Sequence, residues 1–201
     1  MKAIFLDRDG TLNDLVYRPE FQEHGPPWHA SEVALLPGVS AGLQSLQAAG
    51  FMLFVVTNQP DAAKGKATPE QLVQVKKRFC ALLAEKEIII DAYQACYHHP
   101  YGLTGHKLTR ECACRKPGIG MLKQCLQAYQ NQVQEEVELN RHASFFVGDR
   151  QSDRDCAKNF GIPFIGLQTC SSNFHPPLLT PHLAQDFTEA CGKIIGNALT
   201  L

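Results

Sequence analysis

Short apolar runs alternate along this chain with longer segments whose apolar residues recur at the period of a helix. Five runs have the length of buried strands, at residues 2–6, 52–56, 92–97, 144–147 and 163–167. Five segments with helical period follow them in turn, at residues 39–49, 69–86, 119–129, 152–159 and about 187–198. This order is typical of a parallel sheet with helices on both faces, so it predicts an α/β protein with three α/β/α layers.

Length and charge narrow the class of protein further. The chain has 201 residues, 44% of them apolar and 19% charged, so we expect residues 1–201 to form one domain. Its formal net charge is -1 and it has no run of basic residues, which argues against a nucleic-acid partner. The apolar run before Asp7 is too short for a signal peptide, and no stretch approaches the roughly 20 residues of a membrane span. We expect a cytoplasmic protein that does not bind membranes and is a monomer.

Polar residues follow the predicted strands where those strands end. The first strand runs into Asp7 and Asp9, the second ends at Thr57, and the fourth ends at Asp149, while Lys116 precedes a helix. An aspartate after a strand is, taken alone, more often a turn or cap residue than a catalyst. Ligands of open parallel sheets bind outside the carboxyl ends of the strands. Here the strand ends supply carboxylates and a hydroxyl, and a lysine lies before a helix nearby in the pattern. This combination favours a functional site over isolated turn residues.

The spacing of the carboxylates indicates a metal. Asp7 and Asp9 are two residues apart, so an extended backbone aims both side chains the same way. With Asp149 added, the carboxylates would repel one another strongly unless a cation lay among them. Mg²⁺ prefers carboxylates, waters and a phosphate oxygen as ligands. We therefore expect a magnesium site and a phosphorylated substrate.

Eight cysteines divide into a cluster and five scattered residues. The cluster reads C-x-H-x13-C-x-C and contains Cys96, His98, Cys112 and Cys114. Three thiolates and one imidazole complete a tetrahedral zinc site with no open position, so the expected metal is structural. A chance grouping is the alternative, and an exchange of roles between His98 and His99 stays open. The scattered cysteines are expected to be buried thiols: Cys80, Cys125, Cys156, Cys170 and Cys191.

The strand-end residues resemble the four signature motifs of the haloacid dehalogenase (HAD) phosphatases. The resemblance covers residues 2–167 and rests on Asp7-Arg8-Asp9-Gly10-Thr11-Leu12 for motif one, Thr57 for motif two, Lys116 for motif three, and Gly148-Asp149 with Asp153 for motif four. It implies a Rossmann-like HAD fold and a phosphatase in which Asp7 becomes an aspartyl-phosphate and Asp9 is the general acid and base. It also implies Mg²⁺ on Asp7, Asp149 and the Asp9 carbonyl.

The same resemblance assigns the remaining groups around the phosphate. Lys116 would offset charge on the phosphoryl oxygens, and the Thr57 hydroxyl would orient them. Asp153 would hold either Lys116 or metal-bound water.

The zinc cluster, with the segments 57–59 and 114–117, resembles a capless HAD subgroup of heptose bisphosphate and histidinol-phosphate phosphatases. The 13-residue span between the zinc pairs resembles the heptose type. The likeness implies no separate cap domain and a sugar bisphosphate as substrate. It also implies substrate contacts from Asn58, Gln59, Arg115, Arg150 and Arg18.

The sequence departs from the subgroup pattern in two places, and the first leaves the sugar open. Pro60-Asp61 stands where relatives often have Ser-Gly, followed by Lys64 where they often have arginine, and Tyr97 replaces a common proline in the zinc motif. Lysine keeps the charge without the bidentate geometry of arginine.

Three alternatives remain. The first is a phosphatase for histidinol phosphate or another sugar phosphate. The second is a nucleic-acid 3′-phosphatase, against which the zinc loop and the absence of a basic surface both argue. The third is a zinc-stabilised binding module with a vestigial site, which the intact motif residues argue against.

Overall fold

The computed structural model describes residues 1–170, 172, 174 and 182–198. The strands are β1 (Ala3–Leu6), β2 (Val16–Arg18), β3 (Glu23–Gly25), β4 (Met52–Asn58), β5 (Ala92–Cys96), β6 (Phe145–Gly148), β7 (Phe164–Leu167) and β8 (Leu183–Ala184). The helices are α1 (Val39–Ala48), α2 (Pro69–Ala84), α3 (Gly120–Val133), α4 (Gln151–Phe160) and α5 (Phe187–Ala198), with a 3₁₀ turn at Ala30–Glu32.

Six strands form one parallel sheet in the order β5-β4-β1-β6-β7-β8. The chain builds the sheet from β1 outward in one direction, through β4 and β5. It then crosses back and builds in the other direction from β6. The strand order therefore reverses between β1 and β6, and this is where a crevice opens at the carboxyl ends of an open sheet.

Alternation along the strands divides the core into two layers. Ile4 and Leu6 of β1 face the apolar side chains of α1, α2 and α5. Ala3 and Phe5 face those of α3 and α4 on the other side. All four are fully buried, and complete burial of a Leu, Ile or Phe side chain contributes about 1.5–3 kcal/mol. The predicted three-layer α/β/α fold is confirmed.

Local signals explain why several helices begin and end where they do. Thr68 caps α2 by accepting a hydrogen bond from Gln71 N at 3.2 Å, while Thr68 N donates to Gln71 Oε1 at 2.7 Å. Pro69 then occupies the first turn, where its missing N–H costs nothing. After α1, Gly50 has a φ of 79°, which only glycine adopts readily.

The predicted five strands and five helices are all present, with ends that differ by at most a few residues. The hairpin β2–β3 and strand β8 were missed because strands of two or three residues carry no readable alternation. The hairpin is the insert that follows β1, and it is far smaller than a folded cap domain. Within the described ranges, no helix is long and apolar enough to cross a membrane.

The prediction of five buried scattered thiols is wrong for Cys170, which is exposed just beyond β7, and Cys80 is half-buried. Cys125, Cys156 and Cys191 are buried between helices and sheet.

Candidate active site

Lys116 is the centre of a buried ion-pair cluster at the carboxyl end of the sheet. Its Nζ lies 2.8 Å from Asp7 Oδ1 and 2.7 Å from Asp153 Oδ1, and it donates to Val56 O of β4 at 2.9 Å. The lysine side chain is only 1% exposed. Burial opposes its charge, but Asp153 and Asp7 outweigh burial and raise the pKa of Lys116. The lysine is therefore held in its protonated form.

Asp153 is fixed from two sides at the start of α4. One carboxylate oxygen pairs with Lys116, and the other accepts a hydrogen bond from Arg150 N at 3.0 Å. Gly148 leaves room for this arrangement, since a Cβ there would lie 2.6 Å from Asp153 Oδ2. The structure thus places Asp153 against Lys116, the first of the two roles expected for it.

Asp149 completes the acidic group at the point where β6 ends. Its carboxylate accepts hydrogen bonds from Thr11 Oγ1 at 3.3 Å and Thr169 Oγ1 at 3.4 Å. Ligand atoms of Asp7, Asp149 and Asp153 all lie within 4.8 Å of one another, and all three residues are buried. Burial, with Asp7 and Asp149 nearby, raises the pKa of Asp153 although Lys116 lowers it.

The charge of this cluster points to a divalent cation. Three buried carboxylates face one buried lysine, which leaves two negative charges without compensation when all are ionised. Buried charge of one sign is costly unless a counter-charge neutralises it. Oxygen ligands of this number and hardness suit Mg²⁺. The residues present therefore fit the magnesium site expected from the sequence.

Asp9 is held by a second network that begins with Arg8. Arg8 Nε donates to Asp9 Oδ1 and Arg8 Nη2 to Asp9 Oδ2, each at 2.9 Å, while Arg8 Nη1 donates to Tyr93 Oη at 3.0 Å. Asn13 Nδ2 adds a bond of 3.1 Å to Asp9 Oδ1, and Gln59 Nε2 donates to Asp9 Oδ2. Burial opposes the charge of Arg8, but Asp9 and Tyr93 raise the pKa of this 1%-exposed side chain.

Arg8 was not singled out from the sequence, although a basic residue directly between two carboxylates was an available signal. The network fixes the Asp9 carboxylate through three residues, Arg8 and Asn13 of the loop after β1 and Gln59 after β4. Both Asp7 and Asp9 line the same cavity, as their two-residue spacing predicted.

The residues at the end of β4 and directly after it have different roles. Asn58 ties the end of β4 to the segment of Lys116, accepting from Lys116 N at 3.0 Å and donating to Lys116 O at 3.2 Å. Gln59 is turned inward, where Nε2 also donates to Thr57 Oγ1 at 2.8 Å. Thr57 and Asn58 line the cavity, whereas Gln59 is 1% exposed and supports Thr57 and Asp9 from behind.

The cavity has a volume of about 340 Å³, and Asp7, Asp9 and Lys116 contribute to its lining. Four further cations line it, and we call them the basic wall: Lys64, Lys66, Arg115 and Arg150. Among the predicted substrate contacts, Arg115 is half-buried and donates to His98 O at 3.4 Å. The Arg150 side chain is 42% exposed, with Nε 3.9 Å from Asp149 Oδ2. Several cations that can bind anionic groups therefore line the same cavity as Asp7.

Arg18 is placed elsewhere. It forms a bidentate pair with Glu32 at 2.7 and 2.8 Å, and its guanidinium lies 4.1 Å from the centre of the Trp28 ring. The Arg18 hydrogen bond lowers the pKa of Glu32 to about 2. Arg18 thus anchors the segment that follows the hairpin, and it does not line the cavity described above.

The hairpin β2–β3 covers one side of the cavity. Lys66 Nζ lies 2.7 Å from Glu23 Oε1 of the hairpin and 4.7 Å from the centre of the Phe21 ring. Trp28 Nε1 donates to Asp61 Oδ2 at 3.0 Å. These contacts join the hairpin to the loop of residues 60–67, so two segments distant in sequence form one wall.

The predicted zinc ligands meet in space. Sγ atoms of Cys96, Cys112 and Cys114 lie 3.2–3.5 Å apart, and His98 Nδ1 lies 3.4 Å from Cys114 Sγ and 3.8 Å from Cys96 Sγ. A tetrahedron with Zn–S bonds of 2.3 Å has edges of about 3.8 Å, so the cluster is close to the required size. Nδ1 of His99 instead accepts from Tyr101 N at 3.1 Å, which leaves His98 as the histidine in the cluster.

The cysteine loop adjoins two parts of the cavity lining. Cys114 precedes Arg115 and Lys116 directly in the chain. At the tip of the loop, Leu103 N donates to Ala63 O at 2.7 Å, beside Lys64 of the basic wall. A metal bound by this loop would therefore hold residues of the acidic cluster and of the basic wall in place together.

Comparison with known proteins places the chain among phosphatases. The family model described as polynucleotide kinase 3 phosphatase matches residues 2–167. A D-glycero-beta-D-manno-heptose-1,7-bisphosphate 7-phosphatase from Pasteurella multocida is 34% identical over 161 residues, which is 80% of this chain and 78% of that protein. The protein of the same name from Escherichia coli K12 is 33% identical over 155 residues, 77% and 72% of the two chains.

Two solved structures share the fold. A protein described as HAD-like phosphatase from Mesorhizobium loti has a TM-score of 0.74 and 27% identity, covering 100% of this chain and 87% of its own. D,D-heptose 1,7-bisphosphate phosphatase from B. bronchiseptica, complexed with magnesium and phosphate, also has a TM-score of 0.74. Its identity is 23%, with 98% and 99% of the two chains covered, so this likeness bears on the fold alone.

Proposed function

The chain belongs to the polynucleotide kinase 3 phosphatase family, and from that premise we propose that it is a Mg²⁺-dependent HAD phosphatase that removes one phosphate from a sugar bisphosphate. The substrate supported best is D-glycero-β-D-manno-heptose 1,7-bisphosphate, which would lose its 7-phosphate. Relatives at 33–34% identity carry this substrate in their names. The observation that carries the proposal is the Asp7–Lys116–Asp153 cluster beside a small cavity that the basic wall also lines.

The proposed reaction has two displacements at phosphorus. A carboxylate oxygen of Asp7 forms a bond to phosphorus while the bond from phosphorus to the sugar oxygen breaks. Asp9, protonated once its carboxylate turns out of the pair with Arg8, gives that proton to the leaving oxygen, and the sugar departs as an alcohol. A water then attacks the aspartyl-phosphate and gives a proton to Asp9, which releases inorganic phosphate and restores Asp7.

Residues around Asp7 supply the charge that this chemistry requires. Lys116, held protonated by Asp7 and Asp153, offsets negative charge on the phosphoryl oxygens. Thr57 orients one of those oxygens, and Gln59 fixes the Thr57 hydroxyl from behind. The carboxylates of Asp7 and Asp149 and the Asp9 carbonyl would hold Mg²⁺, which would supply further positive charge.

We also propose that Cys96, His98, Cys112 and Cys114 hold a structural Zn²⁺. Support comes from the size of the sulfur cluster and from the four ligands, which leave no position for a reacting water. The ion would close the loop between β5 and α3 and so position Arg115 and Lys116.

At the other end of the substrate, Lys64, Arg115 and Arg150 are proposed to bind the second phosphate. All three line the cavity that holds Asp7. A cation with several donors suits a phosphate dianion, and two of these groups are arginines with fork geometry. Arg18 is not part of this proposal because its guanidinium is paired with Glu32.

The decisive experiment measures phosphate release with Mg²⁺ from both anomers of the heptose bisphosphate, from histidinol phosphate and from a 3′-phosphorylated oligonucleotide. We expect kcat/KM to favour a heptose bisphosphate by about 100-fold or more, equivalent to about 2.7 kcal/mol of transition-state discrimination. Preference for another compound would remove the heptose assignment and leave the phosphatase chemistry. An Asp7→Asn control should abolish turnover with zinc content unchanged, and surviving turnover would exclude the aspartyl-phosphate.

The oligonucleotide tests the second candidate, a 3′-phosphatase acting on nucleic acid, which the name of the family favours. The chain offers little support for it, because the formal net charge is -1 and nucleic-acid affinity depends on many basic phosphate contacts. A cavity of about 340 Å³ suits a small metabolite better.

A further inference from the structure

We propose that Asp61 binds a hydroxyl group of the substrate and thereby selects polyhydroxylated phosphates. Asp61 lies in the loop that follows β4, lines the cavity and is 5% exposed. The inference deepens the proposed function, and it rests on that function for the identity of the cavity as a sugar-phosphate site.

The Asp61 carboxylate has capacity to accept more hydrogen bonds than the protein gives it. Its Oδ2 accepts from Trp28 Nε1 at 3.0 Å. In the part of the chain that the structure describes, this is the only hydrogen bond to the carboxylate. An ionised carboxylate has about four acceptor positions, so a donor from a ligand in the cavity can be accommodated.

The charge of the Asp61 carboxylate indicates which kind of ligand the cavity can bind. Burial raises the pKa of Asp61, and the carboxylate of Asp9 adds to that rise, while Trp28, Lys64 and Lys66 lower it. A carboxylate on a phosphate-binding wall also weakens the attraction of Lys64 for an anion. The group is therefore unfavourable for binding a bare bisphosphate, and hydroxyl donors of a sugar offset that disadvantage.

Asp61 shares the cavity with both proposed phosphate sites. It lines the cavity together with Asp7, Lys64 and Arg115. Asp61 and Lys64 are near enough for each charge to affect the other. A sugar bisphosphate held in this cavity would therefore share it, hydroxyl groups included, with the Asp61 carboxylate, and the chemistry that the site recognises is a bisphosphate joined by a polyol.

The loop presents the carboxylate in a fixed orientation. Asp61 O accepts from Lys66 N at 2.9 Å, and Lys64 N donates to Pro60 O at 3.0 Å. Trp28 holds the carboxylate itself. A group already ordered in this way loses little conformational entropy when the ligand binds.

The test compares two bisphosphates. One has a sugar ring with hydroxyl groups between its phosphates, and the other has an open chain of the same number of carbons without hydroxyl groups. These are D-glycero-β-D-manno-heptose 1,7-bisphosphate and 1,7-heptanediol bisphosphate, titrated calorimetrically with Mg²⁺ into the Asp7→Asn protein so that neither is hydrolysed. Adding Asp61→Asn keeps one oxygen for Trp28 and replaces the other acceptor by a donor. We expect heptose bisphosphate to bind about ten-fold or more weakly, while heptanediol bisphosphate binds more tightly because a negative charge is lost.

Trp28→Phe is the matched control, since it removes the indole donor and leaves the charge of Asp61 in place. It should weaken binding of the sugar less than Asp61→Asn does, and it should not tighten binding of heptanediol bisphosphate because no negative charge is lost. Equal weakening of both by Asp61→Asn, no preference of the Asp7→Asn protein for the sugar, or no binding of the sugar would each overturn the inference. If the opposite shifts appear but the wild-type protein releases no phosphate, the role of Asp61 stands and the proposed function fails.

Discussion

The acidic cluster and the basic wall both contribute to one cavity but are built in different ways. The acidic cluster is tied to the rigid sheet: Asp7 and Asp149 directly follow β1 and β6, and Lys116 is bonded to the carbonyl of Val56 in β4. Arg115 and Arg150 adjoin Lys116 and Asp149 in the chain and share those segments. The two lysines of the basic wall instead lie on the separate loop of residues 60–67, which sequence changes can alter independently of the acidic cluster.

The largest effect should come from the rigid region. Lys116→Met leaves Asp7 and Asp153 buried without their shared counter-charge, so we expect a loss of about 3–5 kcal/mol in unfolding free energy. Turnover should fall about 10²–10³-fold because a phosphoryl-stabilising donor is gone. Urea unfolding and phosphate release measure the two quantities. Adding Asp153→Asn should restore part of the stability but none of the turnover, and full stability of Lys116→Met alone would contradict the ion-pair account.

The proposed zinc site lies between the two regions, so the loss of a ligand there should affect both, though less severely. Cys112→Ser removes one proposed ligand, and we expect the zinc content to fall and the melting temperature to drop by roughly 5–10 °C. A decrease of about 10–100-fold in kcat/KM should accompany it because Arg115 and Lys116 follow the loop directly. Elemental analysis and calorimetry provide the measurements. Cys191→Ser, a buried cysteine outside the cluster, should leave the zinc content unchanged, and a zinc-free wild-type protein would exclude the site.

A change in the basic wall should alter the preference between substrates more than the rate of the chemical step. Lys64→Met removes a cation from the basic wall, and we expect the preference for a bisphosphate over a monophosphate to fall about ten-fold. Lys64→Arg restores the charge and should restore the preference. The ratio of kcat/KM values for heptose bisphosphate and p-nitrophenyl phosphate measures it. If Lys64→Met leaves this ratio unchanged, Lys64 does not contact the second phosphate.

The smallest effect concerns the anchor of the hairpin and depends on pH. The pKa of Glu32 is lowered to about 2 by Arg18, so its stabilising contribution is present above the unfolded pKa of about 4.3 and is lost as the pH falls towards 2. We expect Glu32→Gln to lower the melting temperature by a few degrees at pH 7 and by less at pH 3. A difference that stays constant over this range would show that the ion pair does not stabilise the fold.

The acidic cluster could be predicted from the sequence because parallel strands bring their carboxyl ends to one edge. To predict that Asp7, Asp149 and Lys116 lie together, it was enough to know the positions of three strands and one helix. The partners of the loop residues could not be predicted in this way. Trp28 meets Asp61, and Glu23 meets Lys66, through loop conformations that no periodic pattern encodes. Arg18, expected at the substrate, is held by Glu32 for the same reason.

The position of β6 beside β1 also determines when the site can exist during synthesis. The hydrogen bond between Thr11 and Asp149 spans 138 residues, so a nascent chain shorter than 149 residues contains Asp7 and Asp9 but not their acidic neighbours. Such distant pairing costs loop-closure entropy and slows folding. The ribosome therefore releases most of the chain before the like-charged groups are brought together, and a truncated product that ends before β6 lacks the acidic centre altogether.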